Sequence, residues 1–206
     1  WTPACGYTGS YLVTFTAMDD CGNSASTSAT FTIEDNTAPS IDVAAMDETV
    51  ECDYEAMYLY EDWMYNNGGA QASDLCGYVT WTSSEVVVEG CGNTSVSTVT
   101  FTATDDCGNT ASTTATFTIE DTTNPWFDQL PVADLYVYDC VEPVIEELSA
   151  SDNCGDATVS HVILPRSGGC PIGASYEIVY TATDECGNSV QASTFVHVTD
   201  QTPPVI

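Results

Sequence analysis

The feature that most constrains this chain is an internal repeat whose cysteines recur at fixed steps. The segments 5–41, 91–127 and 170–206 align without gaps, and each holds two cysteines 16 residues apart. A second element, Ala-Ser-Asp-x-Cys-Gly, occurs at 72–77 and 150–155, and each copy follows one more cysteine. One repeat therefore carries four cysteines, and the chain as a whole has ten: Cys5, Cys21, Cys52, Cys76, Cys91, Cys107, Cys140, Cys154, Cys170 and Cys186.

The recurrence divides the chain into modules of one design. Cys21 recurs as Cys107 after 86 residues and as Cys186 after 79 more, because the first interval holds an insertion rich in Tyr, Trp and Met. We predict the C-terminal hairpin of a truncated repeat at 1–38, a complete repeat at 39–123 with the insertion at 53–69, a complete repeat at 124–202, and the first strand of a following repeat at 203–206. The first three are called the first, second and third repeat below.

Within each repeat, apolar residues alternate with Thr and Ser, which is the pattern of a half-buried β-strand. Val13 and Phe15 share one face of such a strand, and Gly22 lies in the short turn that follows it. Strands of this length at intervals of about eight to twelve residues predict an immunoglobulin-like β-sandwich of about seven strands. The predicted fold class is therefore all-β, with tandem sandwich modules.

The motifs of the first repeat resemble a known family. Residues 11–23 (YLVTFTAMDDCGN) followed by 32–39 (TIEDNTAP) are similar to hyalin-type, or HYR-like, repeats. The resemblance implies immunoglobulin-like modules in tandem within large bacterial surface proteins and adhesins, located outside the cell or on its surface and without catalytic activity.

The cysteines indicate an oxidising compartment and a disulfide-stapled fold. Two pairings fit the repeat. The first joins Cys5 to Cys21, and its equivalents are Cys91–Cys107, Cys170–Cys186, Cys52–Cys76 and Cys140–Cys154. This pairing requires the chain before each strand to fold back alongside the strand. An eight-residue strand spans roughly 26 Å, which would otherwise keep the two sulfur atoms apart. The second joins early to late cysteines across a repeat, and gives Cys5 and Cys21 partners outside this sequence.

Acidic residues recur at two places in each repeat, the hairpin tip and the junction that leads to the next repeat. In tandem sandwiches a junction lies near the following module's tip, so the two groups should meet. Oxygen donors gathered in this way suit Ca²⁺. The predicted ligands are Glu34, Asp35, Asp105 and Asp106 at the first junction, and Glu120, Asp121, Asp184 and Glu185 at the second. Alternatively, these acids are solvated turn residues that keep the protein soluble.

The aromatic insertion at 53–69 predicts either a cover for its own module or a contact surface. Met57, Tyr60, Trp63 and Met64 fall at helical spacing, so the predicted cover over one edge of the module is either a short amphipathic helix or an irregular loop. Aromatic residues are also enriched in protein interfaces. The candidate interface residues are Tyr54, Met57, Tyr58, Tyr60, Trp63 and Tyr65.

Composition excludes several functions. The chain has 31 acidic residues and one Lys or Arg, so it lacks the cationic surface that nucleic acid requires. No apolar run is long enough to insert into a membrane. His161 and His197 lie in strand-like segments without a triad, so no enzyme is expected.

Candidate glycosylation sites are Asn93, in an Asn-x-Ser sequon, and Thr122, in a sequence similar to a bacterial O-glycosylation motif.

A structural role is the leading expectation for these modules. They would form a stalk, fibre or filament, stiffened by disulfides and by Ca²⁺. The hairpin of the first repeat is marginal alone, so either the same polypeptide or another subunit must complete it, and 203–206 is a candidate donor strand. Self-association or a long repeat array is thus expected. The alternative is an adhesin that recognises a glycan or a protein through the insertion and loop tips.

Overall fold

The computed structural model describes residues 1–138, 144–167, 175–199 and Pro203. Cys140, Cys170 and the predicted donor strand apart from Pro203 lie outside the described residues, and so do the predictions that involve them. Within the described part of the chain, no helix combines the length and the apolar composition that crossing a membrane requires.

Short strands make up most of the structure. The first repeat holds β1 (Thr2–Pro3), β2 (Gly9–Met18) and β3 (Ser24–Ile33). The second holds β4 (Ser40–Val43), β5 (Glu48–Glu51), helix α1 (Ala56–Tyr65), a 3₁₀ turn (Asn67–Gly69), β6 (Gln71–Ser73), β7 (Val79–Glu89), β8 (Ser95–Asp105) and β9 (Thr110–Glu120). The third holds β10 (Trp126–Phe127), β11 (Asp134–Tyr138), β12 (Ala150–Ser151), β13 (Ala157–Ser167), β14 (Ser175–Asp184) and β15 (Ser189–Thr199).

The two complete repeats share one sheet plan, and the predicted all-β sandwich class is confirmed. The second repeat has a four-stranded sheet in the order β5-β9-β8-β7 and a two-stranded sheet β4-β6. The third has the corresponding sheets β11-β15-β14-β13 and β10-β12. In the third repeat β11 runs parallel to β15, whereas β14 is antiparallel to both of its neighbours. The described residues give six strands per complete repeat, one fewer than expected.

The core of the third repeat lies between its two sheets. Ile178 and Tyr180 of β14 and Val196 and Val198 of β15 are buried there, and Phe127 of the smaller sheet packs against them. These residues occupy alternate positions along their strands, because successive side chains of a strand point to opposite faces. The period-2 pattern in the sequence therefore identified this core correctly.

The chain forms two compact units that do not coincide with the repeats. One comprises Trp1–Thr49, Met57–Val88 and Val96–Thr118, and the other comprises Val50–Ala56, Glu89–Ser95 and Ile119–Ile206. Each unit thus contains residues from two adjoining repeats, including the junction between them. The boundaries proposed above for the repeats, 1–38, 39–123, 124–202 and 203–206, stay predictions.

The aromatic insertion forms helix α1, which covers the core of its own module. Trp63 is buried, its ring lies 5.4 Å from those of Phe101 and Phe117, and its indole N–H donates to the Met46 carbonyl oxygen at 3.0 Å. Tyr60 packs edge-on against Phe117 at 5.3 Å. Trp63 is therefore a core residue and Tyr60 is half-buried beside it, so both rings pack within their own module, as the cover alternative predicted.

The outer side of the insertion remains exposed. Met57, which was expected to face inward with Tyr60 and Trp63, is 61% exposed. Tyr54, Tyr58 and Tyr65 are 80%, 70% and 86% exposed. These four residues, Tyr54, Met57, Tyr58 and Tyr65, are what remains of the predicted interface, and we call them the helix patch.

The first repeat has an uncovered apolar face. Phe15 is 59% exposed, whereas its equivalents in the later repeats, Phe101 and Tyr180, are 0% and 2% exposed. Phe31 is likewise 61% exposed, against 1% for Phe117. The strands β2 and β3 pair in full register from Gly9↔Ile33 to Met18↔Ser24, so the hairpin itself is intact. Among the described residues, this face of the hairpin is not covered as the equivalent faces of the later repeats are.

The exposure difference between equivalent phenylalanines predicts different mutational costs. Phe101→Ala should lower the free energy of unfolding by about 3–5 kcal/mol, because it empties a fully buried site beneath Trp63. The matched substitution Phe15→Ala should change it by no more than about 0.5 kcal/mol, because that ring is largely exposed. Urea denaturation followed by tryptophan fluorescence measures both. Equal effects of the two substitutions would contradict the assigned core.

Candidate functional site at the repeat junctions

Each long hairpin turns at an Asp-x-Cys-Gly-Asn tip. In all three tips the Asp carboxylate accepts the backbone N–H groups of the Cys and the Asn at 2.8–3.0 Å, as Asp184 does from Cys186 and Asn188. The glycine that follows adopts φ values of 87°, 89° and 94° at Gly22, Gly108 and Gly187, a region that side chains rarely allow. Local sequence thus builds one rigid tip three times.

The tips of the second and third repeats bind the chain that links them to the preceding repeat. The Asn109 side-chain amide donates to the Asp35 carbonyl oxygen at 3.4 Å, and Asn188 donates to the Asp121 carbonyl oxygen at 3.2 Å. The prediction that the tip and the junction meet is therefore confirmed. The tip asparagine, which the sequence did not single out, is the residue that makes the contact.

A second contact comes from the loop before each long hairpin. The N–H of Tyr7 donates to the Cys76 carbonyl oxygen at 2.7 Å, and the N–H of Asn93 donates to the Cys154 carbonyl oxygen at 2.8 Å. The glycine before each donor has a φ near 54°, and a Cβ on Gly92 would lie 2.7 Å from the Cys154 oxygen. Glycine is therefore required there, because only it permits both the conformation and the close approach.

Disulfides join each repeat to its neighbour. The bonds are Cys5–Cys107, Cys52–Cys154 and Cys91–Cys186, with Cα–Cα distances of 5.0, 5.3 and 5.1 Å. Among the described residues, Cys21 and Cys76 are unpaired. Each of the disulfides among the described residues thus connects a cysteine of one repeat to a cysteine of the next.

The pairing of cysteines within a repeat was wrong. Cys5 and Cys21 precede and follow the ten-residue strand β2, which spans roughly 33 Å at about 3.3 Å per residue. The chain does not run back to bring the loop before the strand to the tip. The following repeat's tip lies against that loop instead, so Cys5 meets Cys107. The alternative pairing, which joins early to late cysteines across a repeat, is nearer to the observed bonds. It differs from them at Cys5, whose predicted partner lay outside this sequence and whose observed partner is Cys107.

The length of the closed loops makes these bonds strong constraints. The bonded cysteines are 102, 102 and 95 residues apart. In the chain-entropy model, closing a loop of about 100 residues stabilises the folded state by about 4.7 kcal/mol, against about 3 kcal/mol for a loop of about 15 residues. Because the three loops overlap, their contributions are not additive.

Carboxylates gather beside these bonds. At the second junction one oxygen from each of Asp121, Asp152 and Asp184 lies within 4.8 Å of the others. At the first junction Asp35 forms one such group with Asp105 and Cys107, and another with Asp74 and Cys76. Buried carboxylate oxygens without a hydrogen-bond partner occur at Asp35, Asp152 and Asp184. The two junctions therefore present the same three aspartates, from equivalent positions of the repeat.

The environment shifts the pKa of two acids at the second junction in opposite directions. Desolvation, together with the negative charges of Asp152, Asp184 and Glu51, raises the pKa of Asp121. Glu51 accepts four hydrogen bonds of 2.7–3.1 Å from the backbone N–H and hydroxyl groups of Thr122 and Thr123, and these lower its pKa. Glu51 therefore holds the linker in place as an anion.

The structure separates the eight predicted ligands into two sets. Asp35, Asp105, Asp121 and Asp184 belong to the carboxylate groups. Asp106 accepts the Tyr78 N–H at 2.9 Å and Glu185 accepts the Asp156 N–H at 3.4 Å, while Glu34 and Glu120 are exposed. Sequence reasoning missed Asp74 and Asp152, although the recurring Ala-Ser-Asp-x-Cys-Gly element contains both. Metal binding itself stays a prediction.

The remaining candidate residues lie at the surface. His197 is paired with Asp134 at 2.9 Å and stacks on Tyr136, and its side chain is 41% exposed. Asn93 is exposed, and the Thr122 hydroxyl donates to Glu51 at 2.8 Å. Glycosylation of Asn93 and Thr122 stays a prediction.

Comparison with solved structures finds tandem domains of two kinds. The chain is similar to protocadherin gammaB7 EC3-6 over 96% of its length and 61% of that chain, at 15% identity and a TM-score of 0.35. It is similar to Sidekick-1 immunoglobulin domains 1-4 over 93% of its length and 58% of that chain, at 16% identity and a TM-score of 0.37. Drosophila N-cadherin EC1-4 gives 93% and 58% coverage, 16% identity and a TM-score of 0.36.

The chain spans less than two thirds of the first of these proteins. No protein-family model matches the chain, and the search of curated proteins gives no match. The resemblance to hyalin-type repeats therefore stays a prediction.

Disulfide mapping tests the junction directly. Trypsin is unsuitable because the chain has one Lys or Arg, so the non-reduced protein is digested at Asp and Glu before mass spectrometry. We expect linked peptides for Cys5–Cys107, Cys52–Cys154 and Cys91–Cys186. A peptide that links Cys5 to Cys21, or Cys91 to Cys107, would contradict the structure.

The lowered pKa of Glu51 predicts a pH effect. A carboxyl group whose folded pKa is below its unfolded value stabilises the fold above the unfolded value, and this contribution disappears as pH falls through the folded value. Glu51→Gln should therefore lower the free energy of unfolding by about 1–2 kcal/mol at pH 7, and by less at pH 3. Chemical denaturation at both pH values measures this, with Glu55→Gln as the control. A loss that is the same at both pH values would contradict the role assigned to the Glu51 charge.

Proposed function

We propose that this chain is an extracellular structural protein whose tandem repeats are covalently locked to one another, as in a stalk, fibre or filament. The observation that carries the proposal is that all three described disulfides link adjacent repeats. Bonds within each module would be enough for a protein that needed only independently folded modules. Bonds between modules instead limit how far the modules can separate.

The covalent path through the chain shows the mechanical consequence. From Trp1 the path runs to Cys5, crosses to Cys107, returns along the chain to Cys91, crosses to Cys186 and continues to Ile206. It contains 40 of the chain's 205 residue-to-residue steps. Tension on the two ends therefore passes through the disulfides and bypasses most of the polypeptide.

Non-covalent contacts support the same junctions. The tip asparagines donate hydrogen bonds to the linkers, and Glu51 binds the second linker through four hydrogen bonds. The loops that contain Gly6 and Gly92 donate to the carbonyl oxygens of Cys76 and Cys154. These bonds orient the linker, which a disulfide alone would leave free to rotate. Such a junction supports load better than a flexible tether does.

The unpaired cysteines fit a longer array. Cys76 is equivalent to Cys154, and Cys21 to Cys107 and Cys186, and each of those bonds a cysteine of the preceding repeat. We infer that Cys21 and Cys76 bond cysteines of a preceding repeat in the same way. Since Cys52 lies 39 residues before Cys91, the partner of Cys76 would lie about 39 residues before Cys5. The same preceding segment would cover the exposed face of Phe15 and Phe31.

Composition supports an extracellular setting. Disulfides persist in oxidising compartments, and a chain with 31 acidic residues and one Lys or Arg offers trypsin-like proteases almost no cleavage site. Nothing in the proposal requires catalysis.

The helix patch supports a second candidate function, an adhesin. Tyr54, Met57, Tyr58 and Tyr65 expose aromatic and thioether groups on α1 and the turn before it. Such residues are typical of binding surfaces for proteins or glycans. Saturable binding on a glycan array that Tyr54→Ala and Tyr58→Ala abolish would favour this function. Trp63→Ala is not a suitable test, because that residue is part of the core.

Single-molecule pulling between the two ends tests the structural function. The oxidised chain should extend by no more than about 140 Å and the reduced chain by about 700 Å, at about 3.5 Å per residue. The double variant Cys91→Ser/Cys186→Ser should extend to about 360 Å, because 103 steps then lie on the shortest path.

The matched control is Cys52→Ser/Cys154→Ser. It removes one disulfide but leaves the 40-step path unchanged, so its maximal extension should equal that of the unmodified chain. Equal extension of the oxidised and reduced chains would exclude load transfer through the disulfides, and with it the structural function.

A further inference from the structure

We propose that Asp121, Asp152 and Asp184 bind a calcium ion at the junction between the second and third repeats. The proposal does not depend on the structural function described above, since a cation could stabilise this junction whatever the array does. It differs from the ligand set expected from the sequence, because it includes Asp152 and leaves out Glu120 and Glu185.

The first argument is an unsatisfied buried carboxylate. The Asp184 side chain is 8% exposed, and its Oδ2 atom has no hydrogen-bond partner. The Oδ2 atom of Asp152 is likewise buried without a partner, while its Oδ1 accepts the Cys154 N–H at 2.8 Å. Native proteins rarely leave buried polar atoms unpaired, so each such atom calls for a partner.

The second argument comes from a comparison of identical tips. At the first tip, which binds no junction in this chain, the Asn23 amide donates to Asp19 Oδ2 at 2.9 Å, so both carboxylate oxygens are satisfied. At the third tip the Asn188 amide donates to the Asp121 carbonyl oxygen instead. The free Oδ2 of Asp184 is therefore not a property of the Asp-x-Cys-Gly-Asn sequence alone.

The third argument is charge. The grouped oxygens of three carboxylates lie within 4.8 Å of one another, and Glu51 adds a further negative charge that acts on Asp121. Like charges at this distance in a partly buried site repel strongly. The chain has one Lys or Arg, which is too few to neutralise both junctions. A bound cation removes the repulsion and supplies the missing partner for the unpaired oxygens.

The fourth argument is recurrence. The equivalent residues at the first junction are Asp35, Asp74 and Asp105, and Asp35 again has a buried Oδ2 without a partner. Asp105 is satisfied by Asn109, which divides its amide between Asp105 at 2.9 Å and the Asp35 carbonyl oxygen at 3.4 Å. The second junction is the better candidate for a metal site, because its three aspartates form one group of oxygens within 4.8 Å. The three aspartates of the first junction are divided between two groups.

The donor set selects the metal. All three ligands are carboxylates, and hard oxygen donors in an irregular arrangement suit Ca²⁺, which accepts six to eight oxygens in flexible geometry. Mg²⁺ demands a nearly ideal octahedron. Ca²⁺ sites in extracellular modules have dissociation constants of about 10⁻⁴–10⁻³ M, which sets the concentration range for the test.

The experiment is calcium titration of the full chain after EDTA treatment, by isothermal calorimetry and by thermal unfolding. With 5 mM CaCl₂ the thermal unfolding midpoint should rise by about 2–9 °C, and it should return to its starting value with EDTA. Asp152→Asn should weaken calcium binding at least about tenfold, because one charged ligand is lost. The asparagine oxygen can still accept the Cys154 N–H, and the variant carries one fewer of the mutually repelling charges. Its thermal unfolding midpoint in EDTA should therefore equal or exceed that of the wild type.

The matched control is Asp19→Asn, which changes an aspartate of the same tip motif outside the junction and should leave calcium affinity unchanged. The proposal is overturned if no heat and no midpoint shift appear up to 10 mM CaCl₂, or if both variants bind as the wild type does. It is also overturned if NaCl of equal ionic strength gives the same shift, since that result would assign the effect to screening. A third contrary result is a midpoint that rises as pH falls from 7 to 5 without any response to calcium, since protons would then neutralise the carboxylates.

Discussion

The contact between one repeat's hairpin tip and the loop and linker of the repeat before it is the interaction on which the junctions depend. The tip brings Cys107 to Cys5 and Cys186 to Cys91, and the tip asparagines bind the linker carbonyl groups. The same contact delivers Asp184 to Asp121 and Asp152. Covalent locking and carboxylate clustering are therefore two results of one packing arrangement.

This arrangement changes what the disulfides do. A bond inside a sandwich stabilises that sandwich, whereas a bond between repeats makes the stability of each repeat depend on its neighbour. The 95- and 102-residue loops also remove more unfolded-state entropy than the 16-residue steps of the repeat could. The modules have small cores, so this constraint contributes a large share of their stability.

The two complete repeats protect their cores by different means. In the third repeat Phe127 from the small sheet packs on Ile178, Tyr180 and Val196. The second repeat adds helix α1, whose Trp63 lies over Phe101 and Phe117. One face of the insertion therefore packs on the core of its own module, while the helix patch is exposed. In the first repeat the same core positions are uncovered, which is why Phe15 and Phe31 are exposed.

Much of the fold was available from the sequence. Alternating apolar residues such as Val99 and Phe101 identified the strands and their core faces, because side chains of a strand alternate with a period of two whatever the strand packs against. The spacing of Tyr60 and Trp63 identified the helix, and Asp-x-Cys-Gly-Asn identified the tips, because these are local properties of the backbone. The meeting of tip and junction was also predictable, since it follows from the order of modules in a tandem chain.

Tertiary structure alone decided which groups pair. Cys5 lies 16 residues from Cys21 and 102 residues from Cys107, yet it bonds Cys107. The extended strand β2 separates Cys5 from Cys21, whereas the packing of adjoining repeats brings Cys5 to Cys107. Asp152 joins Asp121 and Asp184 for the same reason, whereas Glu185 accepts the Asp156 N–H and Glu120 is exposed. The sequence determined the modules because their signals are local. Their covalent and electrostatic partners depend on which surfaces meet in space, and sequence distance does not encode that.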